Sequence, residues 1–209
     1  MVQFYKTHKK EMILFLLYLL LVPIFEILNR PIGTIHDLTT VIDDKIPFLI
    51  GFLPIYHSWF PFLIYFIIRT MIKDPKAYRP MIKTIILGLV FAYITFIVFQ
   101  TTVPRPTVSG NNFLELWLQK THVIDNHFAG FPSCHVLTTT ALILGVNTSV
   151  QSSKIKFFVT VYGLIIIATT VLVKQHVFLD IPGGILYAII PFLFFYIGEK
   201  KVDEKKRQE

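Results

Sequence analysis

Lys174-Gln175-His176-Val177-Phe178-Leu179-Asp180 stands at the head of an apolar run that continues to Ile197. Its centre is a histidine and a carboxylate four residues apart. If the stretch starts a helix, His176 and Asp180 share one face. Asp180 then holds one imidazole nitrogen and leaves the other pointed outward. A carboxylate in that place fixes the tautomer and stabilises the imidazolium, which prepares the ring as a nucleophile or a base. The same spacing also serves plain structural hydrogen bonds. The pair gains meaning from what gathers beside it.

The chain has 209 residues, of which 54% are hydrophobic and 15% aromatic. Its mean hydropathy is +0.61. That is too apolar for a soluble domain and fits one compact membrane domain over residues 1–209. The formal charge of +7 comes from short basic clusters between apolar runs, a membrane pattern and not a nucleic-acid one. The single cysteine, Cys134, excludes an intramolecular disulfide.

Six apolar runs read as spans, an all-α bundle. The first is Met12–Leu28, preceded by Lys6, Lys9 and Lys10 and followed by no small-x-small cleavage site, so it reads as retained. Ile46–Tyr56 is broken by Pro47, Gly51 and Pro54 and reads as interfacial or re-entrant. The second span is about Ser58–Ile72 and the third about Met81–Phe99, separated by a basic turn. The longest polar connection, Gln100–Phe131, holds Phe113–Lys120, whose helical periodicity predicts a short amphipathic helix lying on the membrane. The fourth span, about Ser133–Val150, carries Thr138, Thr139, Thr140 and Asn147 and should face protein or a wet cavity. The fifth is about Phe157–Val173 and the sixth about Val177–Ile197, with a charged, frayed tail over 199–209.

An even number of spans puts both termini on one side. With that side inside, the inner segments carry three Lys/Arg before the first span, five over Arg69–Lys83, two at Lys154 and Lys156, and five in the tail, which is 15 of the 20. The positive-inside rule therefore predicts cytoplasmic termini in a cell membrane. Arg105, Ser133, His135, Lys174, His176 and Asp180 then all fall at the outer face.

These residues suit one kind of chemistry. Arg105 lies between Pro104 and Pro106, which fix its backbone, and a guanidinium there suits a two-pronged phosphate contact. Pro132-Ser133-Cys134-His135 is a helix-start signature, and free amides at a helix N-terminus bind anions. Ser133 adds a hydroxyl, and His135 is in place to donate a proton. A cation, an anion nest, an acid and a carboxylate-backed histidine together suit phosphoryl transfer, with no metal or other cofactor required. The bland readings are a headgroup-snorkelling arginine and a capped helix entry.

The same residues resemble the type-2 phosphatidic acid phosphatase superfamily of integral membrane lipid phosphatases. That family carries Lys-x6-Arg-Pro, Pro-Ser-Gly-His and Ser-Arg-x5-His-x3-Asp in order, on six spans. Here the matches are Arg105-Pro106, Pro132-Ser133-Cys134-His135, and His176 with Asp180. The resemblance implies that His176 forms a phosphohistidine, Asp180 supports it, His135 protonates the leaving group, and Arg105, Ser133 and the Cys134 position hold phosphate. The implied partners are a lipid phosphate or diphosphate and the bilayer.

The departures are specific. Val98 stands in place of the family lysine, Cys134 in place of the glycine and Thr170 in place of the arginine. Lys174 is the expected substitute for one lost cation. The pattern also resembles the sphingomyelin and inositol phosphorylceramide synthase branch, which transfers a phosphorylated headgroup to an alcohol. A channel or transporter is disfavoured, because the polar groups cluster at one membrane edge and the halves show no repeat. A metal site is disfavoured because the histidines lack ligand spacing. A thiol nucleophile at Cys134 has no assured base beside it.

Overall fold

The computed structural model describes residues 2–208, with side chains described for residues 8–199. It is mostly helical. Five stretches are long and apolar enough to cross a membrane: His8–Leu28, Ile50–Lys73, Pro75–Val98, Ser153–Leu172 and Asp180–Glu199. They belong to α1 (Val2–Leu28), to α4 (Trp59–Lys73) with the short helical segments preceding it, to α5 (Pro75–Val98), α8 (Ser153–Leu172) and α9 (Asp180–Gln208). The fourth expected span is the shorter helix α7 (Cys134–Thr148), of 15 residues.

Boundaries differ from the sequence reading where capping chemistry decides them. The broken run before the second span is not a separate element. A 3₁₀ turn (Ile50–Phe52) and α3 (Leu53–His57) lead directly into α4. The third helix starts at Pro75, six residues before the expected Met81. Asp74 caps it by accepting from the Ala77 amide, and Pro75 occupies the first turn, where its missing N–H costs nothing. The amphipathic helix α6 (Phe113–Ile124) outruns Lys120. Asn112 and Glu115 close a capping box at its start. The last helix continues through the expected frayed tail to Gln208, while the tail side chains lie outside the described ones.

The chain is not purely α. Strand β1 (Ile35–Asp37) pairs in parallel with β2 (Gln100–Thr102), with His36 opposite Thr101. Gln100 fastens this small sheet to the exit of α1. Its Oε1 accepts from the Ile32 amide at 2.8 Å and its Nε2 donates to the Arg30 carbonyl at 2.7 Å. A polar side chain that is 2% exposed thus keeps its bonding capacity filled.

The core lies where α5, α7 and α9 meet, with α1, α4 and α8 around them. Met81, Ile82, Ile85 and Leu89 of α5 pack with Leu137, Ala141 and Leu142 of α7 and Ala188 of α9. Apolar helices gain little from hydrophobicity when their alternative is lipid, so close packing at small residues decides their docking. Gly184 is such a point. A Cβ there would lie 2.7 Å from Val136 Cβ and 2.8 Å from the Ser133 carbonyl oxygen. This close approach of α9 to the start of α7 sets the His176 loop beside Ser133 and His135.

Candidate active site

His176 does not sit on a helix. It lies in the turn that precedes α9, and Asp180 is the first residue of that helix. The expected shared helical face is therefore replaced by a contact across a turn. His176 Nδ1 is 2.9 Å from Asp180 Oδ2, with both side chains buried. The same carboxylate oxygen accepts from the Val177 amide at 3.1 Å. The turn is shaped by the Thr170 carbonyl, which accepts from both the Gln175 and His176 amides at 3.0 Å.

A brace from the connection between α1 and α4 holds this turn from outside. Helix α2 (Val41–Lys45) is capped by Thr40, and Asp43 completes the capping box. The other Asp43 oxygen accepts from the Phe178 amide at 2.7 Å. Lys174 has φ 55, the left-handed region that few non-glycine residues occupy. That geometry sends its ammonium to the Asp43 and Ile46 carbonyls, at 2.8 and 2.7 Å. Lys174, expected as a phosphate-binding cation, is therefore found away from His176. Its charge is engaged on α2, and it does not line the cavity at His176.

Ser133 caps α7, accepting from the Val136 amide at 3.3 Å. Its own amide donates to the Asp180 carbonyl at 3.3 Å, which joins the start of α7 to the start of α9. Cys134 and His135 form the first turn of α7, where amides lack intrahelical partners. The His135 ring meets the His176 ring edge to face, with centres 5.6 Å apart. Tyr56 stacks on His135 at 4.6 Å, and Trp59 lies 4.2 Å away on the same ring.

Arg105 comes to the same place from the long connection. Its Nη1 donates to the Asp125 carbonyl at 2.5 Å and its Nη2 to the Asn126 carbonyl at 3.0 Å. The Asp125 carboxylate lies 3.8 Å from Nη2. Burial pulls the Arg105 pKa down, an effect the Asp125 charge opposes. Burial pushes the Asp125 carboxyl up, against the pull of Arg105 and His176. The loop carrying these carbonyls is fastened by Asn29 at the end of α1. Asn29 Nδ2 donates to Asp125 Oδ1 at 2.7 Å and to the Asn126 carbonyl at 2.8 Å, and Asn29 Oδ1 accepts from the Phe128 amide at 2.8 Å.

Two cavities meet here. A small one, about 20 Å³ and enough for roughly one water, is lined by Arg105, Asp125, Cys134, His135, Gln175 and His176 among others. A larger one of about 450 Å³ shares Phe25, Asp125, Cys134 and His135 with it. Its walls are mostly aromatic, including Tyr18, Tyr56, Trp59, Tyr93 and Trp117. Of the expected site residues, Arg105, Cys134, His135 and His176 converge on the small cavity, with Asp180 and Ser133 directly behind them. Among Lys and Arg, Arg105 alone lines it. Val98 is 74% exposed at the end of α5, and Thr170 is fully buried and contributes its backbone. Among the described residues, no three His, Cys, Asp or Glu side chains converge as a metal ligand set would require.

Asp125, Asn29, Gln175 and the aromatic pair around His135 were not anticipated. Only Asp125 carried a signal, as an acid in a loop otherwise flanked by histidines.

An apolar helical bundle holding a buried histidine–carboxylate pair, an arginine and a second histidine at one end defines a membrane protein of the PAP2 kind. The chain belongs to the PAP2 superfamily, whose model matches residues 34–194. No curated protein matches the chain. In fold it is similar to LpxE of Aquifex aeolicus, known from a crystal structure. That likeness has a TM-score of 0.51 at 18% sequence identity, and covers 83% of this chain and 92% of that one.

Proposed function

We propose that this chain is a lipid phosphatase that hydrolyses a phosphomonoester or diphosphate of a lipid through a phosphohistidine. The observation that carries the reading is the buried His176–Asp180 pair, set edge to face with His135 at a cavity shared with Arg105. Asp180 holds the Nδ1 proton, so Nε2 of His176 carries the free electron pair. That nitrogen attacks phosphorus, and the bond from phosphorus to the lipid oxygen breaks. His135 gives its proton to the departing oxygen. It then takes a proton from the water that attacks the phosphohistidine, which returns His176 and releases phosphate. Arg105 and the first amides of α7 stabilise charge on the phosphoryl oxygens. The aromatic cavity beside His135 suits the apolar leaving group.

The same reading takes α7 as a sixth crossing, with both termini cytoplasmic and the site at the outer face of a cell membrane. The positive-inside distribution of Lys and Arg supports that orientation. Exposed Phe113, Leu116, Val123 and Ile124 support α6 lying on the bilayer surface. The residues named supply the chemistry without a metal.

The second reading is headgroup transfer to an alcohol. The small cavity has one cation, Arg105, beside the Asp125 carboxylate, which suits a singly charged phosphodiester. A panel of phosphatidate, phosphatidylglycerophosphate and polyprenyl diphosphate, with and without an alcohol acceptor, separates the two. Phosphate release in chelator, inhibited by vanadate, is expected. Headgroup transfer exceeding phosphate release would reverse the order, and activity restored only by a metal would remove the mechanism.

A further inference from the structure

Three buried polar atoms around His176 have no hydrogen-bond partner: Nε of Arg105, Oε1 of Gln175 and Oδ1 of Asp180. Such orphans are uncommon in native proteins and mark strain or an absent ligand. Two of the three belong to residues lining the small cavity, Arg105 and Gln175.

Gln175 is 3% exposed. Its amide and that of His176 share the Thr170 carbonyl, so the turn carries both side chains to the cavity together. Its side-chain nitrogen lies 3.1 Å from His122 Nε2 and 3.4 Å from the Val173 carbonyl, and its oxygen is unmatched. Oxygen and nitrogen of a carboxamide exchange places on a half-turn, with almost no change of shape. In the exchanged orientation the oxygen accepts from His122 Nε2–H, the long 3.4 Å bond to the Val173 carbonyl is given up, and the NH₂ group replaces the unmatched oxygen. Burial and the nearby charges of Arg105 and His127 hold the His122 pKa to about 4, so the ring is neutral near pH 7 and can present that N–H.

The cavity needs such a donor. Among Lys and Arg only Arg105 lines it, and Lys174 is turned onto α2. Each Nη atom of Arg105 already donates to a backbone carbonyl, and its Nε–H has no partner.

We propose that Gln175 is a second phosphate-binding side chain, donating from its carboxamide to a non-bridging phosphoryl oxygen alongside Arg105 Nε–H. The assignment rests on reading the His176 cavity as a phosphoryl site. A neutral donor adds a hydrogen bond without adding charge, which distinguishes this site from one lined by several cations.

The test uses the full chain in detergent, with vanadate affinity read from its thermal midpoint and phosphate release measured in parallel. Gln175→Leu should weaken vanadate about tenfold, the loss of one hydrogen bond to an anion. Gln175→Glu should weaken it further, about 100-fold, because a carboxylate then faces the oxyanion. A merely structural Gln175 predicts the opposite for the second variant. Glutamate accepts from His122 as well as glutamine does, so vanadate affinity equal to wild type in Gln175→Glu would overturn the assignment even if Gln175→Leu fails to fold. Wild-type protein that binds vanadate but releases phosphate from no lipid would sink the phosphatase reading and leave Gln175 standing. No vanadate binding by wild type would overturn both.

Discussion

Replacing Asn29 with alanine should disable the site from a distance. Asn29 is 1% exposed, and its three hydrogen bonds of 2.7–2.8 Å fix residues 125–128 to the end of α1. Two are bonds between neutral groups, worth about 1 kcal/mol each, and the third goes to a carboxylate, worth about 1.5–3 kcal/mol. If the loop stayed in place, the variant would leave the Phe128 amide and a carboxylate oxygen unpaired, at a total cost of roughly 4 kcal/mol. The loop is free to shift instead and hydrate, since Asp125 is partly exposed. The shift displaces the Asp125 and Asn126 carbonyls that seat Arg105. A misplacement of about 1 Å at a phosphate-positioning group costs on the order of 100-fold in rate. Phosphate release should therefore fall about 100-fold in kcat/KM, with faster amide exchange over 125–128 and a helical core unchanged by circular dichroism. Near-wild-type kcat/KM in Asn29→Ala, together with faster exchange over 125–128, would refute the idea that this loop positions Arg105.

Other outcomes follow from the same geometry. Lys174→Met should destabilise the fold by roughly 3 kcal/mol, through loss of two charge-assisted bonds to α2, and leave vanadate affinity within about twofold. A large affinity loss without a change in thermal midpoint would restore Lys174 to the phosphate. For His122 the folded pKa of about 4 lies below the ordinary value of 6.5. The unfolded chain takes the proton first, so stability should fall as pH drops from about 6.5 to 4 and level off below. His122→Gln should flatten that slope in thermal midpoints taken across the window, and an unchanged slope would refute it. A cysteine at exposed Asn111 in a Cys134→Ser background should be labelled by an impermeant reagent in intact cells. Labelling only after lysis would invert the topology.

The helices were legible because length and hydropathy dominate in a bilayer. Their ends were less so. The third span begins six residues before the apolar run, because the Asp74 cap and Pro75 set its start. That Arg105, His135, His176 and Asp180 gather at one place was legible because short motifs carried them. What the sequence hid depends on distant partners or on backbone. Asn29 and Asp125 are 96 residues apart in the chain. Thr170 contributes a carbonyl, which no side-chain motif encodes. Lys174 was read by its charge, whereas its left-handed backbone decides where that charge goes. The two short strands were hidden because each is three residues long and pairs across a whole span-to-span separation.

The central claim is that His176 becomes phosphorylated. The direct measurement is trapping with a lipid substrate carrying radioactive phosphate, quenched early and tested for acid-labile, base-stable label. Given, in place of the lipid, a labelled aryl phosphate whose leaving group departs without protonation, His135→Ala should hold the label, since its loss slows water attack on the phosphohistidine. Asp180→Asn should form it on the order of 10²–10⁴-fold more slowly, as carboxylate-backed histidines elsewhere do. His176→Ala should never acquire label while remaining folded. Acid-labile phosphate retained on His176→Ala would contradict the account.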